Sequence, residues 1–90
     1  MADPEFDSLR RDLKAMIIKE CGKDIAPEAL GDDERLIGGP LELDSLDALQ
    51  ICLAVVERYG VRIEGGKAAH RALVSVTTLA ETIVAAKAAA

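Results

Sequence analysis

"DSLDALQICLAVVERYG", residues 44–60, opens on an acid and closes on a glycine, with apolar residues at helical spacing between them. A helix is predicted from Ser45 to Tyr59, with Asp44 as its cap and Gly60 as its stop. At about 100° per residue, Leu46, Leu49, Leu53 and Val56 form one apolar stripe. Ala48, Ile51, Cys52, Val55 and Tyr59 form a second, leaving an arc for Asp47, Gln50, Ala54, Glu57 and Arg58. A bundle helix needs an apolar stripe only about 100° wide for its core contact. Two readings follow. The helix is central and touched by three others, or the Leu46, Leu49, Leu53, Val56 stripe faces outward to meet a partner.

Outward from this stretch the pattern stays helical. In "FDSLRRDLKAMIIKECG" the residues Phe6, Leu9, Leu13, Met16, Ile17 and Cys21 make one amphipathic stripe, and Gly22 ends it. Residues 22–43 form a long connection rich in turn chemistry, with Pro27, Gly31, the acids of "GDDE" and "GGP". Ile25, Leu30, Leu36, Ile37, Leu41 and Leu43 predict that it packs across the helices, with a short helical turn near 27–31. "VRIEGG" reads as an extended crossing, and "KAAHRAL" (67–73) as a short, weaker helix. In "SVTTLAETIVAA", Thr78 and Glu81 match a T-x-x-E capping box, with Leu79, Ile83 and Ala86 on one face. The expected fold is all-α: a small four-helix bundle of three main helices and a short third one, with a long first loop, as a single domain over residues 1–90. "MADPEF" and the closing "AAA", about 1–6 and 88–90, read as vector-derived residues.

Composition narrows the function. Phe6 and Tyr59 are the only aromatics and there is no Trp, so the core is aliphatic. Cys21 and Cys52 match neither metal spacing nor CxxC, and free thiols in a reducing compartment are expected, with one disulfide as the alternative. No signal peptide or membrane-spanning run is visible, which predicts a cytoplasmic protein without membrane insertion. The net charge of −5 is unevenly placed: residues 28–57 hold eight acids and one base, while the remainder holds eight acids and ten bases. An acidic middle disfavours nucleic acid and attracts basic protein surfaces.

Ser45 has two readings on residues alone. Beside a capping Asp44 it is the first helical residue, and Asp47 at the third position suits the positive end of the helix dipole. The other reading is that it carries something. Nucleophilic catalysis fits poorly: the sole histidine, His70, lies in the weak third helix, and there is no G-x-S-x-G, phosphate loop or metal-ligand cluster. No catalytic residue and no metal ligand are expected.

"LELDSLDALQICLAVVERYGVRI" resembles the acyl carrier protein family around its modified serine, with Asp44, Ser45, Leu46 and Asp47 meeting the D-S-L-D core. The resemblance extends over nearly the whole chain: first helix, long acidic loop, D-S-L helix, G-V-x-I crossing, short third helix and "T-x-x-L-x-x-x-I" last helix. It implies that Ser45 bears 4′-phosphopantetheine, transferred from coenzyme A by a magnesium-dependent phosphopantetheinyl transferase. The arm's thiol would carry an acyl group as a thioester, and the protein itself would be no enzyme. A phosphodiester at a helix N-terminus is physically favourable. By the same resemblance Asp44, Leu46, Asp47, Leu53 and Glu57 are expected to meet partners, Asp44 also helping to position the transferase's metal. Ala48, Ile51, Cys52, Val55 and Tyr59 fall on the core side. A folded-back acyl chain is expected against Leu49, Ile51, Val55 and Ile63. The implied partners are an acyl-activating ligase, ketosynthase or acyltransferase with a basic surface, acting on a monomer.

The chain departs from the fatty-acid-synthesis pattern. Glu42 and Leu43 stand where Gly and a small residue are usual, and Gln50 and Val56 where Glu is common. This points to a specialised member serving fatty acid, polyketide or related lipid or secondary-metabolite synthesis. An aminoacyl or peptidyl carrier, usually marked by Gly-Gly-Asp-Ser, and a non-carrier helical adaptor are the alternatives.

Overall fold

A computed structural model describes residues 4–39 and 41–89. The described residues form four α-helices: α1 (Pro4–Glu20), α2 (Ser45–Tyr59), α3 (Lys67–Ala72) and α4 (Val76–Ala89). A single 3₁₀ turn at Pro27–Ala29 interrupts the long connection between α1 and α2, and no strand occurs among the described residues. The small all-α bundle expected from the sequence is therefore the fold. The reading of the two ends as vector-derived falls partly on residues 1–3 and 90, which lie outside the described residues. Residues 4–6 belong to α1, where the Arg10 guanidinium lies 5.0 Å from the centre of the Phe6 ring.

Local chemistry sets the helix ends. Glu5 and Asp7 sit in the first turn of α1 and Lys19 in the last, each matching the dipole. At its C-terminus the Lys23 N–H reaches the Ile18 carbonyl at 3.0 Å and the Gly22 N–H reaches that of Lys19 at 3.3 Å. This Schellman-type close needs the left-handed conformation of Gly22, φ 65°. Gly60, φ 67°, ends α2 through its N–H to the Val56 carbonyl.

α1 is the hub, packing against α2, α4 and the 3₁₀ turn, while α3 packs against α4. Leu13, Met16 and Ile17 of α1 meet Ile51, Ala54 and Val55 of α2 and Val76, Leu79, Ala80 and Ile83 of α4 in one aliphatic core. Burying a side chain of this size stabilises by about 1.5–3 kcal/mol. The long connection packs as its leucines predict. Leu30, Leu36, Leu41 and Leu43 are buried, whereas Ile25 is exposed. Backbone bonds from Leu36 N–H to the Val74 carbonyl and from Thr77 N–H to the Asp32 carbonyl, both 3.0 Å, tie this connection to the start of α4.

Three details differ from expectation. α4 starts at Val76, so Thr78 is not its cap. Ser75 is: its Oγ accepts from the Thr78 N–H at 3.2 Å, and its own N–H donates to Thr78 Oγ1 at 2.8 Å. The earlier start buries Val76 completely, which the T-x-x-E register would forgo, and leaves Glu81 exposed. Ala86 is exposed as well, and the buried face is Val76, Leu79, Ala80 and Ile83. Ala54, grouped by the helical wheel with the polar arc, is buried because it sits one turn from Ile51 and beside Val55.

Candidate functional site

The approach to Ser45 is a tight loop. Gly38 N–H bonds the Leu43 carbonyl at 3.2 Å, and Ile37 and Leu43 form an isolated parallel bridge. The Glu42 N–H donates to the Gly39 carbonyl at 2.9 Å. Two backbone constraints mark this turn. A Cβ on Gly39 would lie 1.7 Å from the Arg35 carbonyl oxygen, so the chain crosses itself there in a way only glycine allows. Glu42 has φ 54°, the one non-glycine residue with positive φ among those described.

Beyond the turn α2 begins with a complete capping box. Asp44 Oδ1 accepts from the Asp47 N–H, and Asp47 Oδ2 accepts from the Asp44 N–H, each at 3.0 Å. The Asp47 N–H, chiefly, holds the Asp44 carboxyl below the usual carboxylate range. Two aspartates therefore do the capping, and Ser45, the first helical residue, is exposed with its hydroxyl in no hydrogen bond among the described residues. Ser45 is thus the first helical residue beside a capping Asp44, as the sequence predicts, and its side chain stays exposed.

The two stripes of α2 separate. Ile51 and Val55 are fully buried, with Ala48, Cys52 and Tyr59 half-buried. Leu46, Leu49, Leu53 and Val56 are 72%, 54%, 54% and 44% exposed, so α2 is not the central helix and this stripe faces outward. Asp44 and Glu57 are exposed on the same helix, and Asp47 is half-buried.

An apolar cavity of about 470 Å³ opens beside Ser45, within the usual range of small-molecule sites. α2 supplies Ala48, Leu49, Cys52 and Leu53 to its wall, and the crossing and α3 close it with Ile63, Ala69 and Leu73. Of the residues expected to line an apolar pocket, Leu49 and Ile63 do. Ile51 and Val55 do not reach this cavity, because they sit on the α1 side of the helix in the solid core. Cys52, Ile37, Ala69 and Leu73 were not singled out for it. The Cys52 reading as a core residue hid its part in the wall, and Ala69 lies in a helix too short to show a face, with Leu73 as its C-cap.

Both thiols are free. Burial pushes the Cys52 thiol upward, and burial followed by the Asp47 charge pushes Cys21 from an ordinary 9.0 up to about 11. Burial, ahead of the Asp12 charge, likewise raises the Tyr59 hydroxyl. His70, the sole histidine, is exposed and lines the same cavity as Ser45. No group of acids, histidines and cysteines among the described residues could hold a metal ion, and no helix is long and apolar enough to cross a membrane.

One acid of the central segment is paired with the first helix. Asp32 turns towards α1, with its Oδ1 2.6 Å from Lys14 Nζ and its Oδ2 3.7 Å from Arg10, which also pairs with Asp7. The hydrogen bond from Lys14 lowers the Asp32 carboxyl. Comparison with known proteins finds no matching family model, no matching characterised protein and no matching solved structure.

Proposed function

We propose that this chain is a carrier protein of the acyl carrier type, with Ser45 as the attachment point of 4′-phosphopantetheine. The observation that carries the reading is an exposed, uncommitted serine hydroxyl at a capped helix N-terminus, opening beside an apolar cavity. The fit is chemical. The first turn of α2 offers N–H groups and the positive end of a dipole to a phosphodiester. The cavity offers an apolar wall to a hydrocarbon chain. When attached, the arm supplies a thiol that holds an acyl group as a thioester.

The chain's own residues then divide the work. Attachment forms a bond from Ser45 Oγ to the β-phosphorus of coenzyme A and breaks the pyrophosphate link. Adenosine 3′,5′-bisphosphate leaves, and the hydroxyl proton is released to the transferase. Asp44 and Asp47 hold the helix start rigid, so that the hydroxyl is presented outside the fold. Leu46, Leu53 and Glu57 give partners an apolar footprint with a flanking acid, which suits an enzyme surface bearing basic groups. The pathway served, and whether the member is specialised, follow from the proposed partners.

Incubation with coenzyme A, magnesium and a broad-specificity transferase is expected to add one phosphopantetheine mass to the native protein and none to Ser45→Ala. No gain, or a gain that survives the substitution, refutes the reading. An adaptor role is the second reading, favoured by the exposed leucines alone. It predicts partner binding that Ser45→Ala leaves intact and Leu53→Ala abolishes.

A further inference from the structure

The wall of the cavity holds two basic side chains, Arg62 and His70, and no acid. The chain as a whole has sixteen acids against eleven lysines and arginines, so this wall does not resemble its average surface. The basic character continues along α3. Lys67 and Arg71 line a shallow depression that shares Gly66 and His70 with the cavity. All four basic residues are exposed. The ion pairs among the described residues lie on the α1 side, between Arg10 or Lys14 and Asp7 or Asp32. Arg62, Lys67 and Arg71 take part in none of them.

An apolar recess whose wall carries Arg62, with Lys67 and Arg71 in the adjoining depression, is complementary to an amphipathic anion. A hydrocarbon body fills the recess, and a carboxylate meets the guanidinium in the fork geometry that makes such bonds strong. A molecule with a net charge of −5 repels anions over most of its surface, so a local basic rim is where one is tolerated. Resting on the carrier reading, we infer that the cargo is an acyl chain with a carboxylate at its far end. The chain lies along Cys52 and Ile63, and the carboxylate lies on Arg62 with His70 beside it.

The test loads native protein with either hexanoyl- or adipoyl-phosphopantetheine, using the corresponding coenzyme A thioester and a broad-specificity transferase. The two cargoes have equal length and differ at the tip. The adipoyl form is expected to melt several degrees above the hexanoyl form at low ionic strength. The difference should collapse near 1 M salt, where charges are screened within about 3 Å. Arg62→Gln should erase it, while Arg58→Gln, on α2 outside the cavity wall, should leave it. Equal melting of the two forms, or a difference indifferent to both Arg62→Gln and salt, overturns the inference and leaves the carrier reading standing. Absence of any mass gain with either thioester overturns the carrier reading, and this inference with it. The salt dependence keeps the test decisive should Arg62→Gln fold poorly.

Discussion

Gly39 and Glu42 lie three residues apart in one turn and should respond to substitution with opposite signs. An L-residue in the left-handed region loses roughly 1–2 kcal/mol relative to its ordinary conformations. Glu42, at φ 54°, bears that penalty. Replacement by glycine removes it but gives the unfolded chain more freedom, a loss of about 0.5–1 kcal/mol. Glu42→Gly should therefore stabilise by about 0–1.5 kcal/mol, the difference of those two effects. Glu42→Ala keeps the strain and removes only the charge, and should lie within ±0.5 kcal/mol of the parent, as surface substitutions do. Gly39→Ala forces a Cβ to within 1.7 Å of the Arg35 carbonyl oxygen, and backbone cannot yield as a side-chain tip can. Overpacking of this kind costs about 1–3 kcal/mol or more. Urea unfolding reads all three. With a slope of about 1–3 kcal/mol per molar, Glu42→Gly raises the midpoint by a few tenths of a molar and Gly39→Ala lowers it by clearly more. On the proposed carrier reading, Gly39→Ala, by disturbing the turn that leads to Ser45, should also slow phosphopantetheine transfer. If Glu42→Gly destabilises, or if Glu42→Ala stabilises as much as glycine, backbone strain at Glu42 is refuted as the governing effect.

The two stripes of α2 should separate stability from recognition: Ile51→Ala should lower stability by about 2–5 kcal/mol, whereas Leu53→Ala should leave the melting midpoint nearly unchanged and weaken partner binding. Differential scanning calorimetry beside partner titration checks the pair, and equal thermal losses would sink the assignment. Cys21, raised from 9.0 to about 11, keeps its proton in the folded state while the unfolded thiol loses it, so stability should fall as pH rises from 9.0 towards 11. Below that window its alkylation should be roughly 100-fold slower than that of an unfolded thiol, and Asp47→Asn should recover part of the rate, since burial is the larger cause. Asp32, lowered by Lys14, contributes stability that is present above its ordinary 3.8 and lost as pH falls through its folded value. Asp32 is 37% exposed and its partner Lys14 16%, so solvent still screens the pair, and Lys14→Gln should change neutral-pH stability by under about 1 kcal/mol and flatten the acid limb of the unfolding curve.

α1 and α2 were legible because each is written twice, once in apolar spacing and once in its ends. α2 shows this best: Asp44 and Gly60 bound it, and Ile51 and Val55 name its inner face. The start of α4 was misread because two capping signals overlap there. The choice fell to Val76, whose burial depends on what α1 presents to it. The start of α2 was legible because it is local, with Asp44 as the cap and Ser45 as the first helical residue. The site was hidden where it is assembled from distant pieces. The cavity wall joins α2 to the 61–73 segment, and no spacing within either stretch announces that Cys52 faces Ile63 or that Arg62 and His70 share one opening. Glu42 was conspicuous as a residue, but its positive φ is a backbone feature that no spacing announces.

The packing scheme explains how a domain this small leaves so much apolar surface on one helix. α1 takes the inner faces of both α2 and α4, so α2 is buried along one side only. A four-leucine-class stripe could have been hidden only by another element laid across it, and the long connection runs elsewhere, tied to Val74 and Thr77. Leu46, Leu49, Leu53 and Val56 therefore add little to folding, and selection on them is free to follow something outside the chain. Asp44 and Glu57, exposed at the two ends of the same helix, keep that surface soluble and give it a sign. The opposite sign appears across the cavity, on Arg62 and along α3. Ser45 sits where the two meet, so whatever is attached to it has an acidic, apolar surface on one side and a basic-rimmed recess on the other. On the proposed carrier reading, Leu49, Leu53 and Val56 belong both to the exposed stripe and to the cavity wall, so a partner of basic surface and a cargo in the recess share those side chains, while Asp44 and Glu57 on one side and Arg62 on the other keep their charges apart.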